Sequence, residues 1–333
     1  MYRILKSKTK KNRGGRRKRA ANIITHRIRN HVHNSTEINK INCNPASNRA
    51  AKDTCFAGDT LEKIKEEYNL DHQADPVLEK DPEKLWQELN RRFSGKCAKE
   101  DCWLKQIKSQ ELRDRLAKLS FAPKQPREWK KNKNEWLSNF DIADVMKQYE
   151  DAHPGFHFIG PTPIDFDSRP NGDSKCVWQE LCAVSISTYV EKKITKLGIV
   201  FNLDKHDESG SHWVSMYVDM DRDHPFIFYF DSAGGRIPRE ISALVKKITK
   251  QGQEIGLKFR YFKNSRKQHQ RGNTECGMYS IFFIVTMLTE KLGGGVDDED
   301  AEISLEDRSD LFLHGNIPDE YIQHYRDLYY NRS

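Results

Sequence analysis

The chain has 333 residues, a formal net charge of +7 and a charged fraction of 32%. No run approaches the ~18 apolar residues of a membrane span, and no apolar leader follows the N-terminus, so membrane insertion and secretion are not expected. Seven cysteines, an odd number without a small-domain spacing pattern, suit a reducing compartment.

The charge is unevenly placed. Residues 1–36 hold 12 Lys and Arg and no Asp or Glu, whereas the remainder has 44 basic and 49 acidic residues. The positive charge therefore belongs to an arm, centred on Arg16, Arg17, Lys18 and Arg19. Paired glycines and few large apolar groups argue against independent folding there. Such a run binds phosphate backbones through counterion release, or serves as a nuclear import signal. DNA association through Arg16 to Arg19 is the expectation, and a solvated tail is the alternative.

Residues 37–125 read as a small helical domain. Leu61 to Tyr68 has helical spacing with Thr60 available as a cap, and Asp81-Pro82-Glu83 opens an amphipathic helix through Phe93. A further helical run spans Gln110 to Leu119. Cys43, Cys55, Cys97 and Cys102 supply enough sulfur for a structural zinc, yet no pair has the two-residue spacing of such sites. Buried thiols are expected instead. No metal or cofactor is expected anywhere in the chain.

Pro- and Lys-rich residues 121–134 mark the boundary into a larger domain, assigned to residues 126–333. Ser138 or Asn139 caps a helix through Tyr149. Strands are expected at Phe156–Ile159, Leu197–Leu203 and Leu257–Phe262, with a helix from Arg239 to about Gln251. The whole reads as an α+β domain with helices packed on a central sheet. An amphipathic helix from Asp319 to Tyr330 packs back on the core.

Three stretches carry chemistry. Residues 268–275, Gln-His-Gln-Arg-Gly-Asn-Thr-Glu, form a polar loop running into Cys276-Gly277-Met278 and an apolar helix. Cys276 thus sits at a helix N-terminus, where free N–H groups and the dipole favour a thiolate. A strand begins at His212-Trp213, and another ends at Phe230-Asp231-Ser232. A hairpin turning at Asp221-Arg222 would set Asp231 opposite His212, joining base and orienting carboxylate. The arrangement is that of a Ser-His-Asp triad with sulfur as nucleophile. Asp219 lies seven residues along the strand from His212, about 3.3 Å each, and is too distant to serve. His206, His224 and His269 fall in polar loops and are expected to be exposed. Cys176 and Cys182 read as core thiols.

The order His-Trp, Phe-Asp-Ser, then Gln six residues before Cys-Gly-Met resembles the ubiquitin-like-protein-specific (SUMO) cysteine proteases and the adenovirus protease. The Gln-x-x-x-Thr-Glu-Cys-Gly segment is similar to that of the giant DNA virus polyprotein proteases, such as that of African swine fever virus. The resemblance implies a papain-like core of the adenain/SUMO-protease type, with a helical N-terminal arm domain. It implies a triad of His212, Asp231 and Cys276, with Gln270 and the Cys276 N–H forming the oxyanion hole. Where the swine fever enzyme has Asn in the acid position, this chain keeps Asp231.

The family's Trp-Leu-Asn-Asp-x-Ile entry is similar to Trp136 to Ile142 here. Trp136 and Trp213 would then wall a slot too narrow for side chains, so cleavage after Gly-Gly follows sterically. Three functions are expected from this. One is an endopeptidase that matures viral core or capsid polyproteins, in the virion and the host cytoplasm. Another is a protease of ubiquitin-like modifiers (nuclear if cellular). The last is an inactive nucleic-acid-binding virion component.

Overall fold

The protein is described by a computed structural model covering residues 41–331, apart from 52, 98, 171, 173–174 and 296–301. The basic arm with Arg16, Arg17, Lys18 and Arg19 lies outside the described residues.

Residues 41–121 contribute three helices, α1 (Gly58–Asp71), α2 (Pro82–Phe93) and α3 (Gln110–Ser120). Asp81 caps α2 by accepting from the Lys84 amide, with Pro82 at the first helical position, as the sequence predicts. Helix α1 begins earlier than expected. Leu61 N–H already bonds to Ala57 O, so Thr60 lies inside the first turn with its side chain buried and does not cap. Phe56, Leu61, Ile64, Leu85, Leu89 and Trp103 form the core of this region.

The cysteines depart from expectation. Cys43 pairs with Cys55, Cys97 with Cys102 and Cys176 with Cys182, across Cα separations of 5.0, 5.5 and 6.2 Å. These are disulfides where the spacing suggested free thiols. The folded backbone brings each pair within bridging range, which sequence separation does not reveal.

The larger part is built on a five-stranded sheet ordered β1 (Phe156–Pro163), β2 (Lys196–Asn202), β3 (Trp213–Asp219), β4 (Phe226–Phe230) and β5 (Arg260–Lys263). The outer pairs β1–β2 and β4–β5 are parallel and the inner pairs antiparallel. Between β1 and β2 run two short helices, α5 (Gln179–Cys182) and α6 (Ile186–Glu191). Helix α4 (Asn139–Ala152) precedes the sheet, and Ser138 and Asp141 close a reciprocal capping box at its start.

Alternation sends the side chains to two cores. Tyr217, Phe226, Phe228 and Phe230 face one side, while Val214, Met216, Val218 and Ile227 face the other. The first side is covered by α8 (Cys276–Thr289), α4, α9 (Leu305–His314) and α10 (Asp319–Tyr329). The second is covered by α7 (Arg239–Glu254). Because both faces are buried, β3 and β4 read as continuous apolar runs. Helix α8 lies directly on the sheet: a Cβ at Gly198 would come within 2.8 Å of Ile284 and Phe156. Among the described residues, no helix is long and apolar enough to cross a membrane.

The two ends of the described chain are clasped. Asn42 N–H donates to Asn331 Oδ1 at 2.8 Å, and Asn331 Nδ2 returns a bond to Asn42 O at 2.9 Å. This joins the N-terminal region to the end of α10.

Candidate active site

Cys276 is the first residue of α8, and the apolar residues behind it anchor that helix. Each buried Leu, Ile or Phe there contributes about 1.5–3 kcal/mol. Among the described residues no side chain caps α8, so its first amides remain available to an anion. Cys276 is 2% exposed and is the one free cysteine among the described residues.

His212 immediately precedes β3, and Asp231 immediately follows β4. The imidazole Nε2 lies 2.7 Å from Asp231 Oδ1, and Cys276 is near enough to the ring to raise its pKa. With Nε2 committed to Asp231, Nδ1 is the nitrogen that can exchange a proton with the thiol. Burial pulls the imidazole pKa down. The hydrogen bond to Asp231 and the nearby Cys276, with their charges, outweigh burial and push it up to about 10.

The hairpin register differs from the expected one. Ser215 pairs with Phe230 and Asp219 with Phe226, a shift of two residues. A two-residue turn at Asp221-Arg222 would need positive φ at residues that resist it. Instead Asp219 and Asp221 side chains accept from the amides of Asp221 and Asp223, building a wider loop. An even shift keeps every side chain on its face. His212 and Asp231 still meet because both lie just beyond the ladder. Asp219 stands at the opposite end of β3, paired with Lys196 and Phe226.

Asp231 is itself held rigidly. Its Oδ1 accepts from the Ala233 amide at 2.9 Å and its Oδ2 from the Gly235 amide at 2.8 Å. A Cβ at Gly235 would lie 2.6 Å from Oδ2, so the carboxylate requires glycine there. Gly234 adopts φ +71°, turning the chain back around the carboxylate. Asn264 accepts from the Asp231 amide at 2.9 Å and donates to its carbonyl at 2.6 Å. Ser232 and Asn264 were not singled out by sequence. The Phe-Asp-Ser motif pointed at Ser232, whereas Asn264 had no signal.

Gln270 is buried beside this turn. Its backbone N–H donates to Ser232 O at 3.0 Å, and the Ser232 hydroxyl donates to Gln270 Oε1 at 2.7 Å. The amide nitrogen gives one hydrogen to Gly272 O at 3.1 Å, leaving the other for an acceptor.

Trp213 is buried, and its indole N–H donates to Leu137 O at 3.1 Å. A Cβ at Gly277 would meet Leu137 at 3.1 Å and Trp213 at 3.3 Å, so the indole and Leu137 crowd the residue after Cys276. Trp136 stands at the surface, 38% exposed.

His269 overturns its expectation of exposure. It is buried, with Nε2 bonded to Phe312 O at 2.8 Å and Nδ1 accepting from the Ile317 amide at 3.4 Å. Residues after α8 fold over the loop, and burial pushes the imidazole pKa down to about 4. His206 and His224 are exposed, His206 beside Asp165 at 2.7 Å.

A buried ion pair backs the nucleophile. Arg326 Nε lies 2.9 Å from Glu275 Oε2, and both side chains are almost wholly enclosed. Arg326 also donates to Glu135 O and Thr274 O and stacks over Trp129 at 4.5 Å.

A free cysteine at a helix N-terminus, near an imidazole bonded to a buried carboxylate, is the arrangement of a cysteine protease. The chain is similar in sequence to viral thiol and SUMO-1 cysteine proteases. It is 29% identical over 272 residues to a thiol protease of Acanthamoeba polyphaga mimivirus, covering 74% of this chain and 84% of that protein. It is 28% identical over 159 residues to the SUMO-1 cysteine protease of African swine fever virus, covering 46% of this chain and 58% of that protein. The crystal structure of the swine fever virus protease superposes with a TM-score of 0.59 at 20% identity, across 88% of this chain and 96% of that one. No protein-family model matches the chain.

Proposed function

We propose that this chain is an endopeptidase that cleaves after Gly-Gly and matures viral core or capsid polyproteins during virion assembly. The observation that carries this reading is the packing of Trp213 and Leu137 over Gly277, beside the nucleophile. In this reading Trp213, with Trp136 as the second wall, bounds a slot that favours a substrate backbone without side chains.

The chemistry follows from the geometry. His212 Nδ1 takes the Cys276 proton, or the two already rest as an ion pair, and Asp231 holds the imidazolium. The thiolate attacks the carbonyl after the second glycine. The Cys276 amide and the free Nε2 hydrogen of Gln270 stabilise the oxyanion. His212 then protonates the leaving amine, and water hydrolyses the thioester.

Two substrates separate the readings: an unstructured peptide carrying Gly-Gly-Ala, and a SUMO domain with a C-terminal Gly-Gly fused to a reporter. Cleavage of the peptide with the fusion untouched, and neither cut by Cys276→Ala, is the expected result. Preference for the fusion would replace polyprotein processing with modifier removal, a reading favoured by the similarity to the SUMO-1 cysteine protease of African swine fever virus. Cleavage of neither would leave an inactive virion component.

The arm at residues 1–36, through Arg16, Arg17, Lys18 and Arg19, would hold the enzyme on DNA in the assembling virion and the host cytoplasm. Deleting it is expected to abolish salt-sensitive retention on DNA while cleavage of the short peptide continues. Unchanged retention would remove the arm from this role.

A further inference from the structure

We propose that Asp319, in the first turn of α10, is a positioning residue that sets the oxyanion donor Gln270. The inference rests on the reading of Gln270 as that donor. It concerns a residue 43 positions beyond Cys276, on the helix that also carries Arg326.

The orientation of the Gln270 amide depends on two neighbours. The Ser232 hydroxyl fixes its oxygen, and the Gly272 carbonyl takes one of its two amide hydrogens. Only while Gly272 O stays in place does the second hydrogen keep one direction. Gly272 lies in an exposed loop that contains glycine and belongs to no helix or strand, so its own peptide needs an external anchor.

Asp319 supplies that anchor. Its Oδ2 accepts from the Gly272 amide at 2.7 Å and from the Arg271 amide at 3.0 Å. Among the described residues these two amides have no other partner. Asp319 Oδ1 lies 2.8 Å from the Tyr279 hydroxyl, on α8 one turn beyond Cys276. One carboxylate therefore ties the oxyanion loop to the helix that carries the nucleophile. Two amides converging on one carboxylate form short, directional bonds. The chain of contacts runs from Asp319 to the Gly272 N–H and, across that residue's Cα, to its carbonyl on Gln270 Nε2. Asp319 touches neither the thiol nor the imidazole in any hydrogen bond described here.

The test uses the full chain and the Gly-Gly-Ala peptide, with alkylation of Cys276 by iodoacetamide as a second readout. Alkylation needs the thiolate but forms no oxyanion. Asp319→Ala is expected to lower kcat about 10- to 100-fold, with KM and the alkylation rate within about threefold of wild type. Asp319→Asn keeps an acceptor oxygen and should recover much of the loss; it carries the comparison if the alanine variant does not fold. Added to Gln270→Ala, either Asp319 substitution should cost little more, because both act on one donor. An alkylation rate that falls in step with kcat, or full additivity with Gln270→Ala, would overturn the positioning role. An unchanged kcat in Asp319→Ala beside an impaired Gln270→Ala would overturn it too, leaving the donor reading intact. Full activity in Gln270→Ala would remove the donor reading itself.

Discussion

Asp231→Ala is expected to lower kcat/KM about 1,000- to 10,000-fold, whereas Asp219→Ala leaves it within about twofold. The two aspartates close opposite ends of the β3–β4 hairpin, and only Asp231 reaches the imidazole, at 2.7 Å. Its carboxylate is held by the amides of Ala233 and Gly235, so it cannot turn away from His212 without losing both. The milder Asp231→Asn should expose the electrostatic part alone. In the wild type the imidazole pKa is pushed up to about 10. A folded pKa above the unfolded one means that the folded state retains a proton the unfolded chain releases above about pH 6.5. The stability this contributes is fully present below that pH and is lost as the pH rises through about 10. The imidazolium that protonates the leaving amine disappears over the same alkaline range. A pH profile of kcat/KM should therefore fall near pH 10, and Asp231→Asn should move that limb to lower pH. A limb that stays put would show that some other group holds the proton on His212.

The second large effect is on stability. Arg326→Ala is expected to destabilise the protein by about 3–5 kcal/mol, because it leaves the Glu275 carboxylate enclosed without its counter-charge. Arg326 is also the donor to Glu135 O and Thr274 O and the cation above Trp129, so three further contacts go with it. At about 2–4 °C per kcal/mol for a chain of this size class, the melting temperature should drop by roughly 10 °C. Replacing both partners by leucine should recover most of that loss, since the cost arises from an unpaired buried charge and not from the missing attraction. Thermal unfolding of the single and double variants checks this. A single variant that melts with the wild type would mean that solvent or another base reaches Glu275.

That His212, Asp231 and Cys276 come together was legible because each lies in a motif-sized stretch. His212 opens a strand, Asp231 closes one, and Cys276 starts an apolar helix, each marked by a change in hydrophobic period. The elements themselves followed from the same periods, as in α2, where the Asp81 cap and Pro82 fixed the start. Three things were not legible. The hairpin register slipped by two residues because side chains of Asp219 and Asp221 built a loop that periodicity does not encode. Six cysteines were taken for thiols because pairing depends on which Cα atoms the fold brings together. His269 was taken for an exposed loop residue because its cover comes from residues 312–317, more than forty positions away. Asp319 and Arg326 escaped for the same reason: their partners are backbone atoms and a carboxylate in a distant loop.

Glu275 and Arg326 are 51 residues apart, and this sets an order of events during synthesis. The polypeptide grows at about 5–20 residues per second, so Arg326 is added several seconds after the nucleophile has been made. Until then the nascent chain carries Cys276 beside an unmatched Glu275 and a loop with no Asp319 to gather it. The site is thus incomplete until the segment carrying Asp319 and Arg326 has been made and has folded back onto the loop before Cys276.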